Sequence, residues 1–365
     1  MKRYLVGGYV RDTLLGRPAG DRDWVVIGST PEQMIQMGFK AIGEHIPVFI
    51  DRETREEHAL ARLEYKSGTG HKGFLFQAAP TVTLEEDLTR RDLRINAMAM
   101  NEQGQLIDPL GGKKDLDKRI LRHISPAFAE DPLRLLRVAR FLAQLAPYGF
   151  TLAPETQELM CNLAASGELA TLPAERVWRE TQLALAAPCP ERFFTTLQEC
   201  QALEPFFSEL SPDLSLLLPP LEQALGLDAE WRWAALLHLL PRTQIAALTK
   251  RLKCPRLGTQ AALAACDSIA LMRSSHQTGE QIFQILKQNN AWRNPERFYQ
   301  LTQLQQCLSP TPTEQWWKKA LALTQSVPSE LTPPAKGEEQ RYALTLKQRR
   351  IEILQHWISS SIQLP

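Results

Sequence analysis

The chain has 365 residues, 44% apolar and 23% charged, with 42 basic and 41 acidic side chains and a net charge of +1. This is ordinary globular composition with material for two or three domains, and it excludes a collagen-like or disordered chain. No window approaches the roughly 18 uninterrupted apolar residues of a membrane span, and the near-zero charge does not by itself announce a nucleic-acid binder.

The N-terminus Met1-Lys2-Arg3 begins like a signal sequence, but the apolar stretch Tyr4–Val10 is too short for an h-region. Six scattered cysteines form no CxxC pair, so neither a zinc ribbon nor a disulfide scaffold is expected. The expectation is a reduced, cytoplasmic protein with no membrane association, and no protein partner is inferred.

In chain order, Tyr4-Leu5-Val6 is a short strand running into Gly7-Gly8, and Tyr9–Leu15 has helical spacing. Trp24–Ile27 reads as a buried strand. Thr30-Pro31-Glu32 is a helix start with Pro at the first helical position. Val48–Ile50 and His58–Ala61 are further strands, Leu75–Ala79 a weaker one, and Arg62–Phe74 reads as a mobile basic loop. Its Gly68, Gly70 and Gly73 spell G-x-G-x-x-G by chance, because no βαβ context surrounds them. From Pro126 onward, Leu, Ala, Glu and Gln recur at helical spacing, punctuated by prolines including Pro219-Pro220. Pro328–Pro334 reads as a linker before a last helix over Leu344–Ile362. The expected architecture is a small α/β head followed by an all-α remainder.

Three patterns in the head carry chemistry. Asp21-Arg22-Asp23 opens the Trp24 strand, and strand residues i and i+2 share a face, so both carboxylates converge. Such a pair repels unless a cation neutralises it, and it can hold two Mg²⁺ ions. Gly7-Gly8 before a helix offers backbone N–H groups to an anion, with Arg11 one turn further in. Arg90-Arg91-Asp92-Leu93-Arg94 packs three arginines into five residues. Taken singly, each also fits a plain reading: a solvated strand start, a glycine turn, or a basic helix face.

The ordered series Gly7-Gly8-x-Val-Arg-Asp12, Asp21-x-Asp23, Arg90-Arg-Asp-x-x-x-Asn96-Ala-Met98 and Glu130-Asp131-Pro-Leu-Arg134 resembles the class II tRNA nucleotidyltransferases. These are the CCA-adding enzymes and their relatives, the bacterial poly(A) polymerases. The resemblance covers about residues 1–210 and implies an α+β chain: a polymerase-β-like nucleotidyltransferase head at 1–125, a helical neck selecting the nucleotide at 126–210, and a helical body and tail binding tRNA at 211–365.

By that resemblance Asp21 and Asp23 carry the catalytic metals, with Mg²⁺ as cofactor and Glu56 or Glu57 as a candidate third carboxylate. Gly8, Arg11 and Arg91 contact the incoming nucleotide, mainly its phosphates, and Asp92 and Asn96 shape the ribose pocket. Arg134, Arg137 and Arg140 step by three along an otherwise apolar helix, so their guanidiniums need acceptor partners. The family reading makes Asp131 and Arg134 an amino-acid template, with Arg137 and Arg140 close to the nucleotide. Cytosine and adenine each present an amine donor beside a ring-nitrogen acceptor, which a carboxylate and an Arg match. Uracil and guanine present the reverse. Pro173–Glu180 is similar to a family helix that braces this neck; a surface ion-pair helix is the alternative.

The implied activity is completion and repair of the tRNA 3′ CCA end from CTP and ATP, by attack of the 3′-OH on the α-phosphate with release of pyrophosphate. The glycine-rich loop favours a full CCA-adding enzyme over a CC-adding relative. Ile42–Phe49 lacks the Gly-Arg-Arg-Phe-like stretch of poly(A) polymerases, and no long basic tail follows. His238 is followed by Leu239 rather than Asp, so it reads as a core histidine and no phosphohydrolase activity is expected. The tryptophans at 231, 233, 292, 316, 317 and 357 read as core, while Lys250–Lys253, Lys318-Lys319 and Lys347–Arg350 are candidate grips for RNA phosphates. The alternatives are a relative restricted to CC, A or poly(A) synthesis, or a non-catalytic RNA-binding protein.

Overall fold

The structure, a computed structural model, describes residues 1–42, 48–66, 74–274, 277–327 and 337–361. The chain divides into two compact units, Met1–Ser208 and Glu209–Pro365.

The first unit is built on a mixed sheet. Its strands are β1 (Lys2–Val6), β2 (Asp23–Ile27), β3 (Lys40–Ile42), β4 (Val48–Ile50), β5 (Glu57–Leu60), β8 (Ala99–Met100) and β9 (Leu106–Ile107), in the spatial order β3-β4-β5-β2-β1-β8-β9. β2 and β5 run parallel, and the other neighbours are antiparallel. Alternation along β2 sends Val25 and Val26 to opposite faces. Val25 joins Val6, Leu88, Ala97 and Ala99, and Val26 joins Met34, Phe39, Phe49 and Leu60. Helices α1 (Gly8–Leu14), α2 (Pro31–Gln36), α3 (Leu84–Thr89) and α4 (Gly112–Asp117) are interspersed. The Thr30 hydroxyl and the Gln33 side chain form a reciprocal cap at the start of α2, and Thr83 and Glu86 do the same for α3.

A segment expected to be loop is in part strand. Arg62–Lys66 forms β6, paired antiparallel with β7 (Phe74–Ala78). Aromatic and β-compatible residues on both arms favour a hairpin over a wholly irregular loop; the glycine-rich tip, 67–73, lies outside the described residues, as do 43–47. β3 is a short, largely exposed edge strand with no apolar alternation to betray it.

Beyond the sheet come α5 (Leu133–Leu145), α6 (Pro154–Ala165), α7 (Ala174–Leu185), α8 (Glu191–Glu199) and α9 (Glu204–Phe207), with β10 (Ile120–Leu121) and β11 (Thr151–Leu152) pairing in parallel. The second unit is helical throughout its described residues: α10 (Leu214–Gln223), α11 (Ala229–Leu237), α12 (Arg242–Arg251), α13 (Arg256–Met272), α14 (Gly279–Gln288), α15 (Pro295–Leu308), α16 (Glu314–Ser326) and α17 (Glu339–Ser361).

Pro219 and Pro220 lie inside α10 rather than between helices. The carbonyls that their missing N–H groups leave unpaired belong to Ser215 and Leu216, both exposed, so water can satisfy them. Trp231 and Trp317 are in the core of this unit, Trp233 is fully buried, and Trp292, Trp316 and Trp357 pack against that core. The expected linker at 328–334 lies outside the described residues, and the last helix begins five residues earlier than its sequence pattern suggests. Among the described residues no helix is long and apolar enough to cross a membrane.

Gly112 fixes how α4 meets the turn that carries Arg94–Asn96. A β-carbon on it would sit 2.2 Å from the Arg94 carbonyl oxygen and 2.8 Å from Met98 Cγ. Asp108 anchors the same end by accepting from the Gly112 and Lys113 amides at 2.7 and 2.9 Å. Gly112→Ala is expected to destabilise the chain by about 2–3 kcal/mol, because backbone rather than a flexible side chain must yield. A thermal or denaturant melt of the variant checks this.

Candidate active site

β1 delivers the chain to Gly7, whose φ of 71° and ψ of −135° suit glycine alone. α1 begins one residue later and turns Arg11 inward, where it is 3% exposed. Its guanidinium donates to both Asp12 carboxylate oxygens at 2.9 and 3.0 Å and to Asn96 Oδ1 at 2.9 Å. Asp12 and Asn96 thereby fix Arg11, which sequence reasoning had left as a free phosphate contact. Arg91 Nη1 lies 3.4 Å from where a Gly7 β-carbon would stand, so the glycine turn and the second arginine motif meet.

The acidic edge is arranged differently from a simple i, i+2 strand pair. β2 starts at Asp23, so Asp21 precedes the strand and does not line the cavity, although its charge reaches Asp23. The neighbour across the parallel ladder is Glu57, in register with Asp23. Protein crowding around the Asp23 carboxyl, then repulsion from Glu57 and Asp21, raises its pKa above the ordinary value against the pull of Arg91. Glu56 is turned away, accepting from Trp24 Nε1 at 2.7 Å and Arg22 Nη1 at 3.3 Å. Of the two candidates for a third carboxylate, only Glu57 therefore faces the pair.

Among the described residues no preassembled group of three or more His, Cys, Asp or Glu has metal-holding geometry. The donor chemistry nevertheless suits Mg²⁺, which is held by one or two carboxylates completed by water and substrate phosphate. The mutual repulsion felt at Asp23 is what a divalent cation would relieve.

Facing this edge is a cavity of about 630 Å³ whose lining includes eight arginines and four carboxylates. The arginines are Arg11, Arg62, Arg90, Arg91, Arg134, Arg137, Arg140 and Arg176. Three buried acids hold much of this array. Asp87, fully buried, accepts from Arg90 Nη2 at 2.7 Å and Arg91 Nη2 at 3.1 Å, and although burial pushes its carboxyl up, those guanidiniums leave its pKa below the ordinary value. Asp92 accepts from Arg137 Nε at 2.7 Å, Asn96 Nδ2 at 3.2 Å and the Leu93 amide at 2.8 Å. Burial again opposes its ionisation, but these partners outweigh it and lower the pKa to about 2. Glu180 on α7 accepts from Arg140 Nε at 2.6 Å.

The expected base-reading pair is held by the protein on both sides. Asp131 Oδ1 accepts from the Leu133 amide at 3.0 Å, just ahead of α5, and Oδ2 accepts from Arg176 Nη2 at 3.2 Å. Arg134 donates to the Ala127 and Arg90 carbonyls at 2.8 and 2.7 Å. The guanidiniums of α5 thus have acceptors within the chain and do not depend on substrate for partners. Arg176 and Glu180 tie α7 to the start and middle of α5 through two ion pairs. Two buried guanidinium nitrogens of arginines that line the cavity, Arg91 Nε and Arg176 Nη1, have no hydrogen-bond partner among the described residues.

Asp87, Asp12 and Arg176 belong to this site and were not singled out as site residues from the sequence. Asp87 was findable, since it stands at i−3 and i−4 to Arg90 and Arg91 on one helix face. His238, by contrast, is buried in the second unit with Nδ1 2.7 Å from the Ala235 carbonyl oxygen, and burial holds its pKa down.

Because the folded pKa of Asp92 is depressed, its contribution is fully present above the unfolded carboxylate value near 4 and is lost as pH falls toward 2. Asp92→Asn is expected to cost on the order of 2 kcal/mol at neutral pH and to flatten the acid limb of a stability–pH profile in that window. Parallel melts of the two proteins from pH 6 to pH 2 check both.

Two family descriptions match the chain: "Poly A polymerase head domain" over residues 3–122 and "Probable RNA and SrmB-binding site of polymerase A" over residues 149–214. A CCA-adding enzyme of Pseudomonas putida (strain W619) is 44% identical over 374 residues, covering 97% of this chain and 98% of its own. A Multifunctional CCA protein of Pseudomonas putida (strain KT2440) is 50% identical over 301 residues, covering 82% of each. Among solved structures, the Bacillus stearothermophilus CCA-adding enzyme in complex with CTP superposes with a TM-score of 0.71 at 25% identity, covering 96% of this chain and 88% of that one. With relatives this similar along nearly its whole length, the chain belongs to the CCA-adding enzymes, the class II tRNA nucleotidyltransferases.

Proposed function

We propose that this nucleotidyltransferase completes and repairs the 3′ CCA end of tRNA from CTP and ATP, the tRNA 3′-hydroxyl attacking the nucleotide α-phosphate and pyrophosphate leaving. The observation that carries this reading is the cavity in which eight arginines outnumber four carboxylates beside an unneutralised acidic edge. Such an imbalance suits a polyanion. The reaction belongs in the cytoplasm, where its substrates are.

Asp21 and Asp23, aided by Glu57, would hold the metal, and Mg²⁺ bound there would lower the pKa of the attacking hydroxyl and neutralise charge on the triphosphate. Gly8, Arg11 and Arg91 line the phosphate end. A carboxylate has about four acceptor positions, and Asp92 commits three, so its Oδ2 retains one for a ribose hydroxyl beside Asn96. Asp131 likewise keeps capacity for an exocyclic amine, and Arg134 uses two of its five N–H donors. Arg176 and the two backbone carbonyls hold the pair in place before a base arrives, which is the preorganisation that discrimination requires. Uracil or guanine in this site would set an acceptor against Asp131 and a donor against Arg134, so neither group's remaining capacity could be used.

In this reading residues 1–125 carry the metal and triphosphate chemistry, residues 126–210 select the base, and residues 211–365 grip the tRNA through clusters such as Lys250–Lys253 and Lys347–Arg350.

Purified protein with Mg²⁺, CTP and ATP is expected to extend tRNAs ending before CCA, after C and after CC to one complete CCA end and then stop. Extension halting at CC, starting only from CC, or running into a long A tail would each replace this reading with that of a partial or poly(A)-synthesising relative. Asp23→Ala is expected to abolish transfer while tRNA affinity stays near wild type; persisting transfer would refute the metal assignment. Asp131→Ala should narrow the preference for CTP over UTP by about tenfold or more, the worth of a hydrogen bond to a charged group. Competition between the two nucleotides on a tRNA ending before CCA measures it.

A further inference from the structure

The second unit contains a cavity of about 450 Å³ that the transfer reaction does not use. The first turns of three helices contribute to its wall, and each brings an arginine: Arg242 opens α12, Arg256 opens α13, and Arg297 lies in the first turn of α15. A cation at a helix N-terminus opposes the helix dipole and is the wrong sign for helix stability. Three such placements around one void run against what the fold alone favours. They match what an anion requires, since helix N-termini and guanidiniums add their positive potential at one place.

The remaining charges leave that potential in excess. Asp267 is the one carboxylate in the lining, and Arg242 forms an ion pair with it. Arg297 donates to the Leu257 carbonyl at 3.1 Å; burial lowers its pKa, with the nearby Glu230 acting in the opposite direction. Arg256 has no partner among the described residues, and the first turns of α12 and α13 carry no side-chain cap. Trp231 and Phe298 close the floor, and carboxamides, among them Gln260 and Asn290, line the wall. The void exceeds what a bare phosphate needs and falls within the range of small-ligand sites.

We propose that this cavity is a second nucleotide site, with Arg256 and Arg297 binding a phosphate group and the carboxamides receiving the nucleoside. The phosphate belongs to a free mononucleotide. The site is independent of the transfer site, so the two readings stand or fall separately.

The test uses the full chain carrying Arg91→Ala to weaken the transfer site. Calorimetric titration with AMP is expected to reveal one remaining site, weakened by added salt. Adding Arg256→Glu or Arg256→Gln should weaken it about tenfold or more, as loss of a charge-assisted contact does. Arg256→Glu places an acid in the first turn of α13, so its melting temperature should hold or rise, which separates lost binding from lost folding. If AMP does not bind but both substitutions, in the otherwise wild-type chain, weaken tRNA affinity about tenfold, the arginines belong to the tRNA grip of residues 211–365 and the second nucleotide site is overturned. If neither AMP nor tRNA binding responds to Arg256, the proposal is overturned.

Discussion

The first unit depends on one requirement: a buried carboxylate must find several donors or stay protonated. Asp92 meets it by drawing in Asn96, the Leu93 amide and Arg137, and Asn96 in turn accepts from Arg11. The resulting chain, Arg11–Asn96–Asp92–Arg137, joins α1 behind the glycine turn to the turn after α3 and to α5. Segments distant in sequence are held by a few atoms whose geometry tolerates little error. Moving any of them leaves an unpaired charge in a low-dielectric place, so α5 and its other arginines are located by the same constraint that satisfies Asp92.

Asp87 and Glu180 repeat the device at two further points. Each buries a carboxylate against guanidiniums that line the cavity, Arg90 and Arg91 in one case and Arg140 in the other. A long flexible arginine loses much rotamer entropy when it grips a ligand, and a buried acid that fixes it beforehand removes that loss from the binding step. In the proposed reading these two carboxylates would act on the substrate through the arginines rather than by touching it.

Much of this was legible in the residues. The strand around Trp24–Ile27, the glycine turn and the helix carrying Arg134, Arg137 and Arg140 follow from periodicity and turn chemistry, because each signal is local. The pairing of Asp23 with Glu57 was not, since register between strands separated by some thirty residues is a tertiary choice that leaves no mark on either segment. The same holds for the clasp of Asp131 by Arg176. The resemblance made Asp131 half of a base-reading pair and Pro173–Glu180 a bracing helix, but only the packing of α7 against α5 joins Asp131 to Arg176. Arg62–Lys66 misled for the opposite reason: glycine density just beyond it masked a strand-compatible arm.

Eight arginines around one cavity would be a liability in a protein selected for stability alone, because like charges in a partly desolvated space repel. The four lining carboxylates offset half of that charge by count, and Asp12, Asp87 and Glu180, which pair with Arg11, Arg90, Arg91 and Arg140, offset most of the rest, leaving a small positive excess. That residue of positive potential sits beside Asp23, where the opposite strain is stored: burial, then repulsion from Glu57 and Asp21, lifts the pKa of Asp23. The two strains are complementary. In the proposed reading a nucleoside triphosphate with its cation would relieve both at once, its phosphates meeting the arginines and the cation meeting the acids. Binding energy would then be drawn from electrostatic stress built into the folded chain, at the place where that reading puts the transferred phosphate.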